Sequence, residues 1–385
     1  MRRERRIRVD GKGRLEIVDP GFDSLELLQA IDPAFEVRKA LLPGFVSAGL
    51  NRMRNTRTGL TPRELALLSN VQAWELHDRL MRADSSPHPA TPGDNASLLD
   101  LKAMLAVRLL SACVLCARRC GVDRTMGELG ACRLGSTALV AEHFIHIGEE
   151  PPINPSFVLN MVGCALRCRY CQQGQLLDPS RCSGDDMDGS LWNRVDMSGA
   201  RSISFVGGNP DESLPAILGA LRRAPRWELP LVWNNHSYCS REALALLEGV
   251  VDAYVPDFKY GNEACARDCS GVTDYPATAL HSISRMVAQD VPVLVRILVL
   301  PGHVECCHLP SLNALASLEC ENLWVSIRDQ YSPDWKVKAT EPALSRRANA
   351  EEIAAVRDHA HRVGLRPVDP GTPCRPASTA VMEGT

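Results

Sequence analysis

From about residue 153 onward, short apolar runs alternate with amphipathic stretches. The runs FVLNMVG, SISFVGG, LPLVWNN, AYVPDFK, VPVLVRILVLPG and NLWVSIRDQ have the length and the β-branched or aromatic content of strands. Between them, LPAILGALRR and REALALLEGVV space their apolar residues three and four apart, as helices do. Alternation of strand and helix predicts an α/β fold, a parallel sheet with crossover helices. About six such units suit a β/α barrel, complete or partial, whose chemistry gathers at the C-terminal ends of the strands. No G-x-G-x-x-G follows the first strand, which argues against a dinucleotide fold.

Upstream the pattern is helical after a short basic lead. Asp23-Ser24-Leu25-Glu26, followed by Leu27, Leu28 and Ile31, has the spacing of a capping box. Thr61-Pro62-Arg63-Glu64 repeats it with proline at the first helical position, and predicts a helix through Leu65, Leu68, Leu76 and Leu80. Residues 84–97 are rich in Pro, Ser and Gly and read as a linker; LLDLKAMLAVRLL is then a third helix. The expected division is an N-terminal, mainly helical extension and linker (1–97), a cysteine-bearing segment (98–152), the barrel (153–370) and a C-terminal tail (371–385).

Charge narrows the function classes. The net charge of −3 lacks the basic excess of a phosphate-neutralising protein, so nucleic acid is not the expected partner. The basic lead is interrupted by Glu4 and Asp10 with no apolar stretch behind it, and no apolar run is long enough to span a bilayer. The expectation is a cytoplasmic protein with no membrane partner. There the 15 cysteines stay reduced, and clustered thiols bind metal or do redox chemistry.

The sharpest signal is Gly163-Cys164-Ala-Leu-Arg-Cys168-Arg-Tyr170-Cys171, directly after a predicted strand. C-x3-C-x2-C puts three thiolates on one tight loop with no fourth in register. On a [4Fe–4S] cube, three thiolates leave one iron open to a substrate or cofactor, and Tyr170 would shield the cube from water. The alternative, a structural zinc loop, usually has paired knuckles and a fourth ligand at hand.

These residues resemble the radical S-adenosylmethionine (SAM) enzymes, and roughly residues 98–366 are similar to the branch called pyruvate formate-lyase activating enzyme-like. The resemblance rests on Cys113-Val-Leu-Cys116-Ala-Arg-Arg-Cys120-Gly-Val-Asp-Arg124 through Gly130-Ala-Cys132, on Glu149-Glu150-Pro151-Pro152-Ile153, on the cysteine loop, and on FVGGNP, VWNN, VPDFKYG, VRILVLPG and DQYSP. It implies a barrel of the radical SAM type, in which Cys164, Cys168 and Cys171 hold the catalytic [4Fe–4S] cluster and SAM chelates its open iron. Gly207 and Gly208 match the pair beside the SAM amino group, with Asn209 where many relatives have glutamate. Arg296 matches the partner of the SAM carboxylate, a group that a planar guanidinium suits. Asn234, Asp257 and Lys259 sit at strand ends that line the SAM and substrate pocket, or else pack. One electron from the cluster then cleaves SAM to a 5′-deoxyadenosyl radical, which takes hydrogen from substrate. The electron donor implied is a flavodoxin or a ferredoxin-like protein.

Cys113, Cys116, Cys120 and Cys132, with glycines at 121, 127 and 130 for tight turns, form a closed four-thiolate set that suits an auxiliary [4Fe–4S] cluster or zinc. His143 and His146 read as core or surface residues rather than ligands. Cys182, Cys239, Cys265, Cys269, Cys306, Cys307, Cys320 and Cys374 read as packed thiols: adjacent cysteines such as Cys306 and Cys307 rarely serve one metal. Tyr331 reads as packed, with Asp329 and Gln330 near the pocket, and Asp185, Asp186 and Asp188 as a solvated acidic loop. The function expected is radical SAM chemistry on a small molecule or peptide in a biosynthetic pathway. The alternatives are a glycyl-radical activase acting on a partner protein and, remotely, a non-catalytic zinc module.

Overall fold

In the computed structural model the described residues are 49–82 and 95–368, apart from 151–152, 188, 197–199, 227–228, 334–335 and 338–342, together with the backbone of two short strands near the N-terminus. The expected capping box at 23–26, the tail 371–385 and Cys374 lie outside them, as does most of the linker.

Ser156–Met161 (β4) is buried at every position, as is Leu323–Arg328 (β9). Burial of consecutive residues means that both faces are covered, the mark of a parallel sheet between layers. Between them in the sheet run Ser202–Gly207 (β5), Leu231–Asn235 (β6), Ala253–Pro256 (β7) and Val293–Leu298 (β8). All five pairings from β4 to β9 are parallel and follow chain order. Each of the six expected apolar runs is one of these strands.

The sheet also extends past β4. Val140–His146 (β3) pairs antiparallel with it, and Leu15–Ile17 (β2) and Ile7–Val9 (β1) follow, giving nine strands in one mixed α/β sheet. The lead was expected to precede a mainly helical region, yet it contributes two strands. Apolar residues alternate at Ile7, Val9, Leu15 and Ile17, with Asp10-Gly11 between them, which is a hairpin pattern.

The helix expected from Thr61 is two helices, Pro62–Leu67 and Asn70–Arg82. The first has the predicted capping box, with the Glu64 amide donating to Thr61 Oγ1 and the Thr61 amide to Glu64. It stops because Leu68 turns extended and Ser69 recruits Gln72: each backbone amide of that pair donates to the other's side chain. Ser69-x-x-Gln72 is itself a capping signal, which ended the helix inside an apolar pattern. At the end of the linker, Ala96 is bonded through its backbone to Thr58 and Leu60, and Ser97 caps Leu98–Arg108 together with Asp100.

The extension shares one hydrophobic core with the sheet. Gly49 donates its amide to Asp252 at 3.1 Å, and a Cβ there would stand 2.7 Å from the Gly249 carbonyl oxygen. Arg54 donates to the carbonyls of Leu221, Ala224 and Pro225, the end of the helix Leu214–Leu221. The Leu221 carbonyl belongs to the last turn of that helix and the other two to the residues just beyond it, so the arginine ties the extension to the helix's C-terminal end. No described helix is long and apolar enough to cross a membrane.

Candidate functional site

The ends of the strands converge on one cavity of about 410 Å³, within the range of ligand clefts. Cys164, Cys168 and Cys171 all line it, with Gly207, Gly208, Asn209, Asn234, Asp257, Lys259 and Arg296. Residues spread over 133 positions of sequence are thus brought to one cavity by the topology, Cys164 being first and Arg296 last.

The cysteine loop is held by backbone packing. β4 ends at Met161, and Gly163 turns with φ +85°, where a Cβ would lie 2.5 Å from the Leu134 side chain. A Cβ on Gly208 would lie 2.2 Å from the Gly163 carbonyl oxygen, and one on Gly207, at φ +84°, 2.6 Å from the Met161 amide nitrogen. The glycine pair is therefore required by close backbone contact, Gly207 with the end of β4 and Gly208 with the start of the loop, a reason additional to the approach of a ligand. Arg167 fixes the middle of the loop by donating to Leu177 O at 2.7 Å and Ala131 O at 2.9 Å.

Cys164 and Cys168 are buried and Cys171 is half-buried. Burial, and then the charge of Glu212, push the Cys164 thiol well above its ordinary pKa. Cys168 Sγ lies 2.8 Å from Ser270 Oγ, which also meets Tyr260 Oη at 2.5 Å. Tyr170 is buried, donates its hydroxyl to Tyr260 at 2.7 Å and meets the rings of Tyr260 and Tyr331 edge-on. Tyr331 is packed, its hydroxyl donating to Leu344 O. Gln330 lines the cavity, while Asp329 pairs with Arg357.

Glu212 was not singled out by the sequence reading. It is 1% exposed and accepts from the Ala165 amide at 2.9 Å and from Asn209 Nδ2 at 2.5 Å, with His236 Nε2 at 3.3 Å. Burial opposes its charge, but the bonds from His236, Asn209 and Ala165 outweigh that and hold its pKa below the usual carboxylate value. Asn209 completes the arrangement by accepting from the His236 amide. Asp211-Glu212 ahead of an apolar helix looks like an ordinary first-turn acidic pair, so local pattern conceals the role.

Across the cavity Arg296 is bound by two buried carboxylates. Its Nε donates to Glu150 Oε1 at 2.9 Å and its Nη2 to Glu150 Oε2 at 2.6 Å and to Glu149. Arg328 lies 3.3 Å from Glu150, and His146 Nδ1 2.8 Å from Glu149. Burial disfavours all these charges, yet Arg296 and its neighbours hold both glutamates below their ordinary pKa. The Glu-Glu of EEPPI is thus the protein's own partner for the arginine expected to meet a SAM carboxylate. His146, read as a bystander, lines the cavity. Lys259 Nζ donates to Asp257 at 2.7 Å; burial opposes its charge, but Asp257 prevails and raises its pKa.

The second cysteine set surrounds a neighbouring turn. Cys113, Cys116 and Cys132 are buried and Cys120 is exposed. Arg124 Nη1 approaches Cys113 Sγ at 3.8 Å, and a Cβ on Gly130 would touch Cys132 Sγ at 3.3 Å and Cys120 Sγ at 3.6 Å. Arg124 also donates to the carbonyl of Glu212 at 2.9 Å, the residue whose carboxylate accepts from Ala165 in the cysteine loop. Burial and then Glu212 raise the thiol pKa of Cys116, and push that of Cys132 up to about 12. His143 stacks on Phe157 and sits between Asp185 and Arg194; Asp185 and Asp186 are exposed, and Asp188 lies outside the described residues.

No family model matches the chain. The uncharacterized protein MJ0674 of Methanocaldococcus jannaschii is 31% identical over 307 residues, which cover 76% of this chain and 88% of that protein. Among solved structures, Streptococcus suis SuiB overlaps alone and bound to S-adenosylmethionine with a TM-score of 0.38, and bound to its precursor peptide SuiA with 0.39. All three are 12% identical and cover 54–56% of this chain. The chain spans about half the length of SuiB, 46–48%.

Proposed function

This chain belongs to the same family as the M. jannaschii protein, and from its site we propose that it is a radical SAM enzyme. The carrying observation is that three cysteines spaced C-x3-C-x2-C face one cavity, which is lined by no other cysteine among the described residues. Three thiolates around a ligand-sized space fit a [4Fe–4S] cluster with one iron left for SAM. When bound, the pair supplies a 5′-deoxyadenosyl radical able to take hydrogen from a substrate.

The chain's own residues then have separable tasks. Cys164, Cys168 and Cys171 hold the cluster, while Tyr170 and Tyr260 close its back against water. Gly207 and Gly208 let β5 reach the loop and leave the cavity wall bare of side chains there. Arg296, steadied by Glu149 and Glu150, presents a fixed cationic edge for the SAM carboxylate. Asn209, Asn234, Asp257 and Lys259 supply the remaining polar contacts to SAM and substrate. Cys113, Cys116, Cys120 and Cys132 hold a second centre, a closed four-thiolate site that suits an auxiliary [4Fe–4S] cluster or zinc.

In this reading residues 153–370 are a partial β/α barrel that carries the reaction, 98–152 hold the second centre, and 1–97 are an N-terminal extension whose helices between 49 and 82 brace the outside. The substrate is a small molecule or a peptide, and a flavodoxin or ferredoxin-like protein in the cytoplasm supplies the electron. The test is anaerobic reconstitution with iron and sulfide, followed by reductant and SAM. Wild type releases 5′-deoxyadenosine and methionine, and Cys164→Ala, Cys168→Ala and Cys171→Ala do not. Release that survives these substitutions refutes the assignment.

A further inference from the structure

Among the described residues, one set of three or more ligating side chains has all its donor atoms within 4.8 Å of one another, and it lies outside both cysteine segments already described: Cys265, His303, Cys306 and Cys307. We propose that these four residues bind a single zinc-class divalent ion as a closed, tetrahedral Cys₃His site.

The distances carry the proposal. Zn–S bonds of about 2.3 Å and Zn–N bonds of about 2.0–2.1 Å at tetrahedral angles put sulfur–sulfur edges at about 3.8 Å and sulfur–nitrogen edges at about 3.5 Å. Cys265 Sγ lies 3.7 Å from Cys306 Sγ, and Cys306 Sγ lies 3.9 Å from Cys307 Sγ. His303 Nδ1 stands 3.6 Å from Cys306 Sγ and 3.8 Å from Cys307 Sγ. Thiolates on a cubane each bind a different iron and stand farther apart, so this set suits one ion and not a cluster.

Adjacent cysteines were expected to pack as small apolar residues because a regular helix points neighbours in different directions. Here Val304–His308 is a π-helical turn, with the amides of both Cys307 and His308 donating to the His303 carbonyl. The wider turn lets both thiols face His303, and such turns concentrate at functional sites. Cys265 arrives from the first turn of the helix Glu263–Ser270, whose cap is Asn262. That approach needs Gly261, where a Cβ would lie 2.3 Å from the Cys307 carbonyl oxygen and 2.8 Å from the Ser311 amide nitrogen. Cys269, four residues after Cys265, is not part of the set. His308 is turned away, accepting from the Leu300 amide.

Four protein ligands leave no open position, so the ion is structural. It joins the start of the helix Glu263–Ser270 to the chain after β8. The far end of that helix carries Ser270, the neighbour of Cys168.

The test is metal content of the full-length protein, purified anaerobically from zinc-supplemented medium. The Cys265→Ser/Cys306→Ser variant is expected to hold one zinc per chain fewer than wild type, with unchanged iron. His303→Gln, which keeps the ring's volume closely, is expected to lose the same zinc while its circular dichroism stays that of wild type. Should either variant unfold, cobalt(II) is added to zinc-stripped wild type, where thiolate-to-cobalt absorption is expected at one equivalent beyond that of protein whose accessible thiols were alkylated beforehand. Equal zinc in wild type and folded variants, absence of that absorption, or a Cys265–Cys306 disulfide in the anaerobic protein overturns the proposal. Because none of these readouts involves SAM, failure here is distinguishable from failure of the radical SAM reading.

Discussion

Gly208 and Gly163 touch backbone to backbone: a side chain on the first would begin 2.2 Å from the carbonyl oxygen of the second. The end of β5 therefore sets where the cysteine loop starts. Gly208→Ala must displace one of the two, at about 1–3 kcal/mol or more for overpacking that cannot relax. We expect a lowered melting temperature and reduced iron per chain after reconstitution. Gly207→Ala, which adds a positive-φ penalty, is expected to be worse. Wild-type iron content in Gly208→Ala would mean that the contact does not position the loop.

Glu212→Gln replaces a carboxylate that accepts from the Ala165 amide and Asn209 with a group that turns a donor toward one of them. An unsatisfied buried group costs about 1–3 kcal/mol, which denaturant unfolding would register. The Glu212 charge also opposes thiolate formation at Cys164, Cys116 and Cys132. Removing it should raise the reduction potential of the proposed iron–sulfur cluster of the Cys164 loop, read by a redox titration. A lower potential would contradict this electrostatic role.

Arg296→Met leaves Glu149 and Glu150 facing each other with only Arg328 and His146 for compensation. Breaking one side of a buried charge network costs about 3–5 kcal/mol. Arg296→Lys keeps the charge but not the planar fork, and is expected to lose less stability. Urea midpoints rank the three proteins, and equal midpoints would refute the network.

Two buried histidines set an acid limit. His77 Nε2 accepts from Lys102 Nζ at 2.9 Å, and His308 Nε2 accepts from the Leu300 amide at 2.8 Å. Burial lowers the pKa of each to about 4, helped at His77 by the Lys102 charge. Both folded values lie below the unfolded value of about 6.5, so the folded state binds fewer protons between the two. Their contribution is complete above about pH 6.5 and is lost as pH falls toward 4, at up to about 1.4 kcal/mol per pH unit for each histidine. His77→Gln and His308→Gln are each expected to flatten the dependence of unfolding free energy on pH in this window. An unchanged slope would show that the ring titrates normally.

The sequence carried the parallel strands, the Thr61 cap and the cysteine loop because each is a local pattern: an apolar run, an S/T-x-x-E spacing, a C-x3-C-x2-C. What it hid depends on partners far away in the chain. Glu212 resembled a first-turn acid until folding brought it against Ala165 and His236. Glu149 and Glu150 had no visible partner because Arg296 lies about 146 residues on. Cys265 and Cys306 meet across 41 residues, and only a π-helical turn makes Cys306-Cys307 a usable pair. The hairpin Ile7–Val9 with Leu15–Ile17 was legible in alternation but was overshadowed by the basic residues around it.

The central claim, that three cysteines leave one iron free for SAM, is tested most directly by electron–nuclear double resonance. The reduced, reconstituted protein is mixed with SAM carrying ¹⁵N in the amino group and ¹⁷O in the carboxylate. Hyperfine coupling of both labels to the Cys164–Cys168–Cys171 cluster is the predicted result. A reduced cluster of that loop that shows coupling to neither label would contradict the account.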